Sequence, residues 1–280
     1  MRVAVVILNW NGWQATAACV DAVEGLDHAD VSLVVVDNGS TDGSVSFLRE
    51  RYPTLRLLES GANLGFAGGM NVALRQLLEE SEPEYIWLLN NDARPSPGAL
   101  TALIDVAEHD PRVGAVGSVL LGGALPSVWA WGGGTVSFRT GLPRHHREPV
   151  TPDRIDYLVG ASLLLRARAL RELGLLDDRF FLYWEDTDIS YRLRDAGWKL
   201  AVAPDSLVLH EGNGSLAFQS PGWDREFTAS SVIFFRQHAR FPWAPILISS
   251  TGRILLRTAR GRWANSAATW QGLRRGLAAS

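Results

Sequence analysis

The stretch "EYIWLLNNDARPSP", residues 84–97, carries four apolar residues in a row, Ile86-Trp87-Leu88-Leu89, and then stops at Asn90-Asn91-Asp92. An unbroken apolar run closed by turn residues is the pattern of a strand buried on both faces. Its polar end is either a turn or a site held at the rim of a sheet. Taken alone, an Asp in a β-turn is the commoner solution. Ser96-Pro97 then offers an N-cap and a proline at the first helical position, predicting a helix to about Glu108.

Working outward, the same alternation recurs. "RVAVVILNW" (2–10), "VSLVVVDN" (31–38), "LRLLES" (55–60) and "VGAVGSVLL" (113–121) read as further strands. Helical patterns fall between them, at about Gln14–Val23, in "GSTDGSVSFLRERY" with Thr41, Asp42 or Ser44 as its cap, and in the Gly-rich "GANLGFAGGMNVALRQLLEE". This order predicts an α/β fold with a mostly parallel sheet flanked by helices. In such sheets ligands bind beyond the carboxyl ends of the strands. Asn9, Asn11, Asp37, Asn38, Asn90, Asn91 and Asp92 all fall at those ends.

Downstream, "SVWAWGGGTVSF" (127–138) reads as a hairpin or flap, and "IDYLVGASLLLRARALRELG" (155–174) as a strand followed by a helix closed by Gly174. A helix starts near Asp186 and ends at Gly197. "KLAVAP" and "SLVLHEGNGS" read as two short strands. The expected organisation is a catalytic domain over residues 1–240, with a nucleotide half to 120 and an acceptor half beyond it, and a basic amphipathic extension over 241–280.

The chain has 280 residues, 46% hydrophobic and 20% charged, enough for a sizeable core. One cysteine, Cys19, excludes an intramolecular disulfide and fits a reducing compartment. The start lacks the cleavage pattern of a signal peptide, and no apolar run reaches the roughly 18–20 residues of a membrane span. Charge is unevenly placed: eight of the 27 basic residues and none of the 30 acidic ones lie in 231–280. With Trp243, Trp263 and Trp270 nearby, that segment fits peripheral contact with an anionic membrane, or helices packed on the catalytic domain or at a homodimer interface.

Five clusters carry chemistry. Asp37 in "VVVDNGSTDGS" can accept N–H bonds from a pyrimidine base or form an Asx turn. Gly65, Gly68 and Gly69 in "NLGFAGGMN" can cradle a phosphate or let a helix pack closely. Asp92 can hold Mg²⁺ or Mn²⁺ against a diphosphate. Glu185, Asp186 and Asp188 place three carboxylates at a helix start, where the dipole favours them. With Tyr183 and Trp184 beside them, one of the three can be tuned as a general base. His210 is a metal ligand or a histidine satisfied at a strand end.

As an ordered set, "VVILNWNG", "VVVDNGSTDGS", "NLGFAGGMN", "LLNNDARP", the block from Gly160 to Gly197 and "VLHEGNGS" resemble the family 2 glycosyltransferases of the GT-A fold, the rhamnosyltransferase-type members above all. The resemblance implies roles at matching positions. Asn9 and Asp37 would contact base and ribose, with Asn11, Asn63, Gly65, Asn71, Asn90 and Asn91 also on the nucleotide-sugar side. Asp92 would ligate the cation, and His210 the metal or the diphosphate. Asp186 would be the catalytic base of an inverting transfer, and Glu185 would bind acceptor. Asn90 departs from the family pattern by placing an amide where D-x-D has its first acid.

The implied donor is dTDP-L-rhamnose. Galactofuranosyl, glucosyl and N-acetylhexosaminyl transfer from UDP sugars remain open. The implied acceptor is a glycan or polyprenyl-linked glycan of bacterial cell-envelope polysaccharide synthesis, and nucleic acid is not an expected partner. The expected location is cytoplasmic, peripheral on the inner face of the plasma membrane. A sugar-1-phosphate nucleotidylyltransferase is the competing enzyme, but "NWNGWQAT" lacks its basic Gly-rich loop. A non-catalytic glycan-binding module would suit the eleven Trp.

Overall fold

β1 (Val3–Asn9), β2 (Val31–Asp37) and β4 (Tyr85–Asn90) are buried on both faces because alternate residues feed two separate cores. Val5, Ile7, Val35 and Trp87 point into one, and Ala4, Val6, Val34 and Leu88 into the other. In this computed structural model, which describes residues 2–28, 30–80, 83–122, 127–212 and 218–279, those strands and β3 (Arg56–Glu59) are all parallel. Their crossover helices are α1 (Trp13–Glu24), α2 (Ser44–Arg51) and α3 (Gly65–Glu80). The cap of α2 is Gly43, not Thr41, Asp42 or Ser44, and Asp42 Oδ1, just before it, accepts from the N–H of Ser44 at 3.1 Å.

After β4 come β5 (Ala93–Pro95), α4 (Ala99–His109) and β6 (Val113–Gly122), then β7 (Ser127–Trp131), β8 (Gly133–Ser137), β9 (Leu142–His145), β10 (Tyr157–Leu158) and β11 (Ser162–Arg166). α5 (Ala167–Leu173), α6 (Glu185–Asp195) and β12 (Lys199–His210) follow. The large sheet runs β3-β2-β1-β4-β11-β6-β12-β5. β11 is antiparallel to both β4 and β6, because it returns from the β8–β10 insertion without a crossover helix. A buried relay fixes its register: Trp87 Nε1 donates to Ser162 Oγ at 2.9 Å, and Ser118 Oγ bridges Ser162 and Ser206.

Three other sequence expectations change. The helix after Pro97 begins at Ala99, whose N–H bonds to the Ser96 carbonyl, so Ser96-Pro97 forms the turn ahead of the cap. Residues 127–138 are not a hairpin. β7 joins β6, whereas β8 pairs with β9 and β10 in a second sheet. "KLAVAP" and "SLVLH" are one strand, β12, with a register shift between Ala203 and Leu207. Pro204 lacks the N–H that an unbroken ladder needs there. The Asn213-Gly214-Ser215 end of "VLHEGNGS" lies outside the described residues.

Three C-terminal helices follow: α7 (Pro221–His238), α8 (Trp243–Ala259) and α9 (Trp263–Ala278). α9 lies against α7 at glycines. A Cβ on Gly272 would sit 2.3 Å from the Arg225 carbonyl, and one on Gly276 would sit 2.5 Å from that of Ala229. The tail therefore packs on α7.

Candidate active site

Parallel pairing sets Asn9 of β1 directly opposite Asp37 of β2. Asn9 Nδ2 donates to Asp37 Oδ1 at 2.8 Å, and Asp37 Oδ2 accepts the Ser40 N–H at 2.9 Å. Thr16 Oγ1 donates to Asn9 Oδ1 at 2.7 Å and accepts from Asn91 Nδ2 at 3.1 Å. The ends of β1, β2 and β4 thus share one polar chain. Asn11, left-handed at φ 49°, accepts from the Thr41 N–H and stands exposed at the lip. Asn63 is also exposed, with its Oδ1 holding the amides of Asn38 and Gly65.

Antiparallel pairing of β5 with β12 puts His210 opposite Ala93, one residue past Asp92. The Nε2 of His210 therefore lies 3.2 Å from Asp92 Oδ1 and 3.3 Å from Asn90 Nδ2. Asn90 Oδ1 is buried and has no hydrogen-bond partner among the described residues. An unsatisfied buried oxygen costs free energy unless something fills its place.

Asp186 opens α6. Its Oδ2 accepts the Gly160 N–H at 2.8 Å and its Oδ1 the Thr187 N–H at 2.6 Å. Burial pushes its carboxyl above the usual range, and these hydrogen bonds offset part of that rise. Burial raises Glu185 further, with the Asp186 charge adding to the effect. Its Oε2 is without a partner among the described residues. The turn that holds Asp186 also holds the end of β4: Gly160 binds Asp186, and the carbonyl of Ala161 accepts the N–H of Asn90 at 3.0 Å.

The chain reaches α6 through strain. Tyr183 and Trp184 have φ of 69° and 72°, a region that costs bulky residues on the order of 1–3 kcal/mol each. Phe227, Phe234 and Phe235 of α7 hold the Trp184 ring at 4.9–5.5 Å. Asp188 is no part of the open site. It is fully buried and bonded to Arg192 Nε and His238 Nε2, both at 2.8 Å, pinning α6 to α7. Arg194 pairs with Asp156, not with an acid of its own helix.

Gly65 and Asn71, two expected nucleotide contacts, have structural roles. Gly65 has φ 75°, and a Cβ there would lie 2.2 Å from the Phe181 carbonyl. Its N–H serves Asn63 and its carbonyl serves Asn38. Cβ atoms on Gly68 and Gly69 would likewise meet Leu64 and Leu8. These glycines let α3 pack closely against its neighbours. Asn71 is buried, and both ends of its amide bond the backbone of Leu176.

Sequence reading missed Thr16, Gly160 and an aromatic wall. The Trp129 ring lies 5.3 Å from that of His210 and 4.8 Å from that of His145, whose Nδ1 bonds Tyr157 Oη at 2.9 Å. Burial pushes His145 down to about 4, so the ring that meets the Tyr157 hydroxyl is neutral. Burial, then the Asp186 charge, raise the Tyr157 phenol. The wall joins the His210 corner to the Asp186 side. Alternation in "SVWAW" was its one legible trace.

Residues 4–174, more than half the chain, match glycosyl transferase family 2. The chain belongs to that family. This family 2 glycosyltransferase is 32% identical to the N-acetylglucosaminyl-diphospho-decaprenol L-rhamnosyltransferase of Mycobacterium tuberculosis, over 81% of its own length and 82% of the relative's. Its fold is shared with a mannosyltransferase from Pyrobaculum calidifontis solved with GDP-Man and Mn²⁺ (TM-score 0.61, 21% identity, 99% of this chain and 73% of that one). It is shared also with GalNAc-T7 solved with UDP, GalNAc and Mn²⁺ (TM-score 0.72, 13% identity, 99% and 56%). The architecture is GT-A, with three C-terminal helices added.

Proposed function

We propose that this glycosyltransferase moves L-rhamnose from dTDP-L-rhamnose to a hydroxyl of a polyprenyl-linked glycan, with inversion. The observation that carries the reading is the Gly160-Ala161 turn, which binds Asp186 with one residue and the Asn90–Asp92 strand end with the next. The name of the mycobacterial relative supports the donor and acceptor classes.

The acceptor hydroxyl donates to Asp186, whose raised pKa brings it closer to a working base. The acceptor oxygen attacks the anomeric carbon as the bond to the diphosphate oxygen breaks on the opposite face. The proton ends on Asp186, the sugar on the acceptor and the electron pair on dTDP. A β-linked donor gives an α-L-rhamnoside with no covalent enzyme intermediate. Asp37 and Asn9 seat the nucleoside, and Glu185 lines the acceptor side.

A divalent cation fits the Asp92 corner on the chemistry of its donors: a carboxylate, an imidazole and the unpartnered Asn90 Oδ1. Among the described residues no three His, Cys, Asp or Glu side chains are grouped to hold a metal by themselves. Asp92, His210 and Asn90 would therefore share Mg²⁺ or Mn²⁺ with the donor diphosphate, and the cation would offset charge on the leaving group.

The test is nucleoside diphosphate release from dTDP-rhamnose, UDP-galactofuranose, UDP-glucose and UDP-N-acetylglucosamine, with Mn²⁺ and with a chelator. Metal-stimulated release from dTDP-rhamnose above the others supports the reading. Preference for a UDP sugar overturns the donor. Pyrophosphate release from dTTP and a sugar phosphate overturns transfer itself.

A further inference from the structure

Helix α8 is inside out. Its only charged side chains, Arg253 and Arg257, point inward to Asp224, a fully buried carboxylate on α7. Its outward face presents Trp243, Leu247, Ile248, Leu255 and Leu256, each about half exposed or more, and otherwise only small or hydroxyl residues. A surface helix in water shows the reverse arrangement, with apolar side chains inward and charges outward. Exposed apolar faces of this continuity mark contact surfaces.

The surroundings specify what it contacts. Trp263 and Trp270 on α9 and Phe241 before α8 are also exposed, so aromatic rings border the face. Arg240, Arg260 and Arg274 are exposed around it, and residues 231–280 hold no acid. Apolar centre, aromatic border and cationic fringe are the three requirements of a segment lying in an anionic lipid interface. No helix among the described residues is long and apolar enough to cross a membrane, so the contact would lie flat.

The face also leads to the catalytic side. Gln219 is pinned to the α8–α9 corner by Arg257 and Asn265. Beside it the exposed Phe218 meets Trp223 at 5.1 Å. Trp223 stacks on Phe227 at 4.6 Å, and Phe227 meets Trp184 at 5.5 Å, next to Glu185. Arg253 lies over both the Trp223 and Phe227 rings from the inner side of α8.

We propose that the outward face of α8, with the flanking Trp and Arg side chains, docks on an anionic bilayer and sets the aromatic ladder from Phe218 to Trp184 at the membrane surface, where a lipid-linked acceptor enters. The acceptor clause rests on the function proposed above, whereas the docking does not.

The experiment uses the full-length protein and point variants, because α9 is packed into α7. Co-sedimentation is measured with phosphatidylglycerol vesicles and with phosphatidylcholine vesicles. Wild type is expected to bind the first and bind the second weakly. The double variant Leu247→Glu/Leu255→Glu is expected to lose about tenfold or more of that binding. Its circular dichroism, melting temperature and donor hydrolysis should match wild type. Equal vesicle binding by wild type and a well-folded double variant overturns the proposal. So does a wild-type dimer that binds no vesicles and becomes monomeric in the variant, since α8 would then meet a second copy. If α8 is correct and the transfer reading is wrong, vesicle binding survives while donor release from nucleotide sugars is absent.

Discussion

The Nε2 of His210 stands 3.2 Å from Asp92 Oδ1, on a strand paired with the residue that follows Asp92. One carboxylate and one imidazole give a cation too few charges to hold it strongly, and Asn90 adds an amide oxygen but no charge. Wild type is therefore expected to bind Mn²⁺ weakly alone and much more tightly with dTDP present. Asn90→Asp restores a second acid and should tighten metal-only binding by about tenfold, worth about 1.4 kcal/mol. Calorimetric titration of Mn²⁺ with and without dTDP checks this. Equal affinity in both conditions would remove Asn90 as the cause of donor-dependent metal binding.

Asp186 owes its position to Gly160. A methyl at Gly160 would sit 3.1 Å from Asp186 Cβ and displace the helix start that carries the carboxylate. Gly160→Ala is expected to cut kcat by about tenfold to a hundredfold while the Kd for dTDP stays put, since misplacement of a reacting group acts on chemistry. Asp186→Asn should lose about a hundredfold or more. In wild type the acidic limb of kcat/KM should lie above the ordinary carboxylate range, because burial raises Asp186. A limb at the unperturbed aspartate position, or Asp186→Asn at full rate, contradicts the assignment.

An ionised Glu185 is costly to the fold because it is buried beside Asp186. Burial and the Asp186 charge raise its folded pKa, so the fold binds a proton that the unfolded chain releases earlier. Stability from this group is full at low pH and falls as pH rises from the ordinary carboxylate range through the folded pKa. Glu185→Gln removes the buried charge. It is expected to raise Tm near about pH 7.5 and change it little near about pH 4.5, with a loss of transfer in both. Thermal melts at the two pH values decide it, and a lowered Tm at the higher pH would show that Glu185 is stabilised by its surroundings.

Thr16 relays between the ends of β4, β1 and β2, accepting from Asn91 and donating to Asn9, which donates in turn to Asp37. Thr16→Val keeps the shape and removes the hydroxyl. Leaving the buried Asn9 amide and the half-buried Asn91 amide short of a partner costs about 1–3 kcal/mol. The loss should appear as a Kd for dTDP raised about tenfold, with kcat for bound donor nearly unchanged. An unchanged Kd would mean that Asn9 and Asp37 hold their positions without the relay.

The parallel half of the sheet was legible because its strands feed two cores and show it as unbroken apolar runs. Asn9, Asp37, Asp92 and Asp186 were expected at the ends of strands and at a helix start, and the structure puts them there. Gly160 was not, since its task is one N–H and no side chain, and residue type says nothing about where an N–H points. Asn71 misled for the opposite reason: its amide looks functional in sequence but is consumed by the Leu176 backbone. β12 was read as two strands because Pro204 breaks the ladder without ending the strand. The tail's arginines were read together as a cationic surface, although Arg253, Arg257 and Arg275 are spent on the buried acids Asp224 and Glu226.

That last pairing makes the tail part of the domain's stability. Asp224 is fully buried and bonded to Arg253, Arg257 and Asn265 at 2.5–3.2 Å. Removing one member of a buried ionic group leaves the others uncompensated, a cost of about 3–5 kcal/mol. Asp224→Ala strands Arg253 and Arg257, and burial already lowers the pKa of Arg253. It should lower the urea midpoint clearly. Arg240→Ala, on an exposed side chain beyond α7, should leave the midpoint in place. Deleting residues 241–280 should be worse than Asp224→Ala, because it also uncovers Glu226 and the α7 surface under Gly272 and Gly276. A truncated chain as stable as wild type in urea would show that α8 and α9 only rest on the catalytic domain.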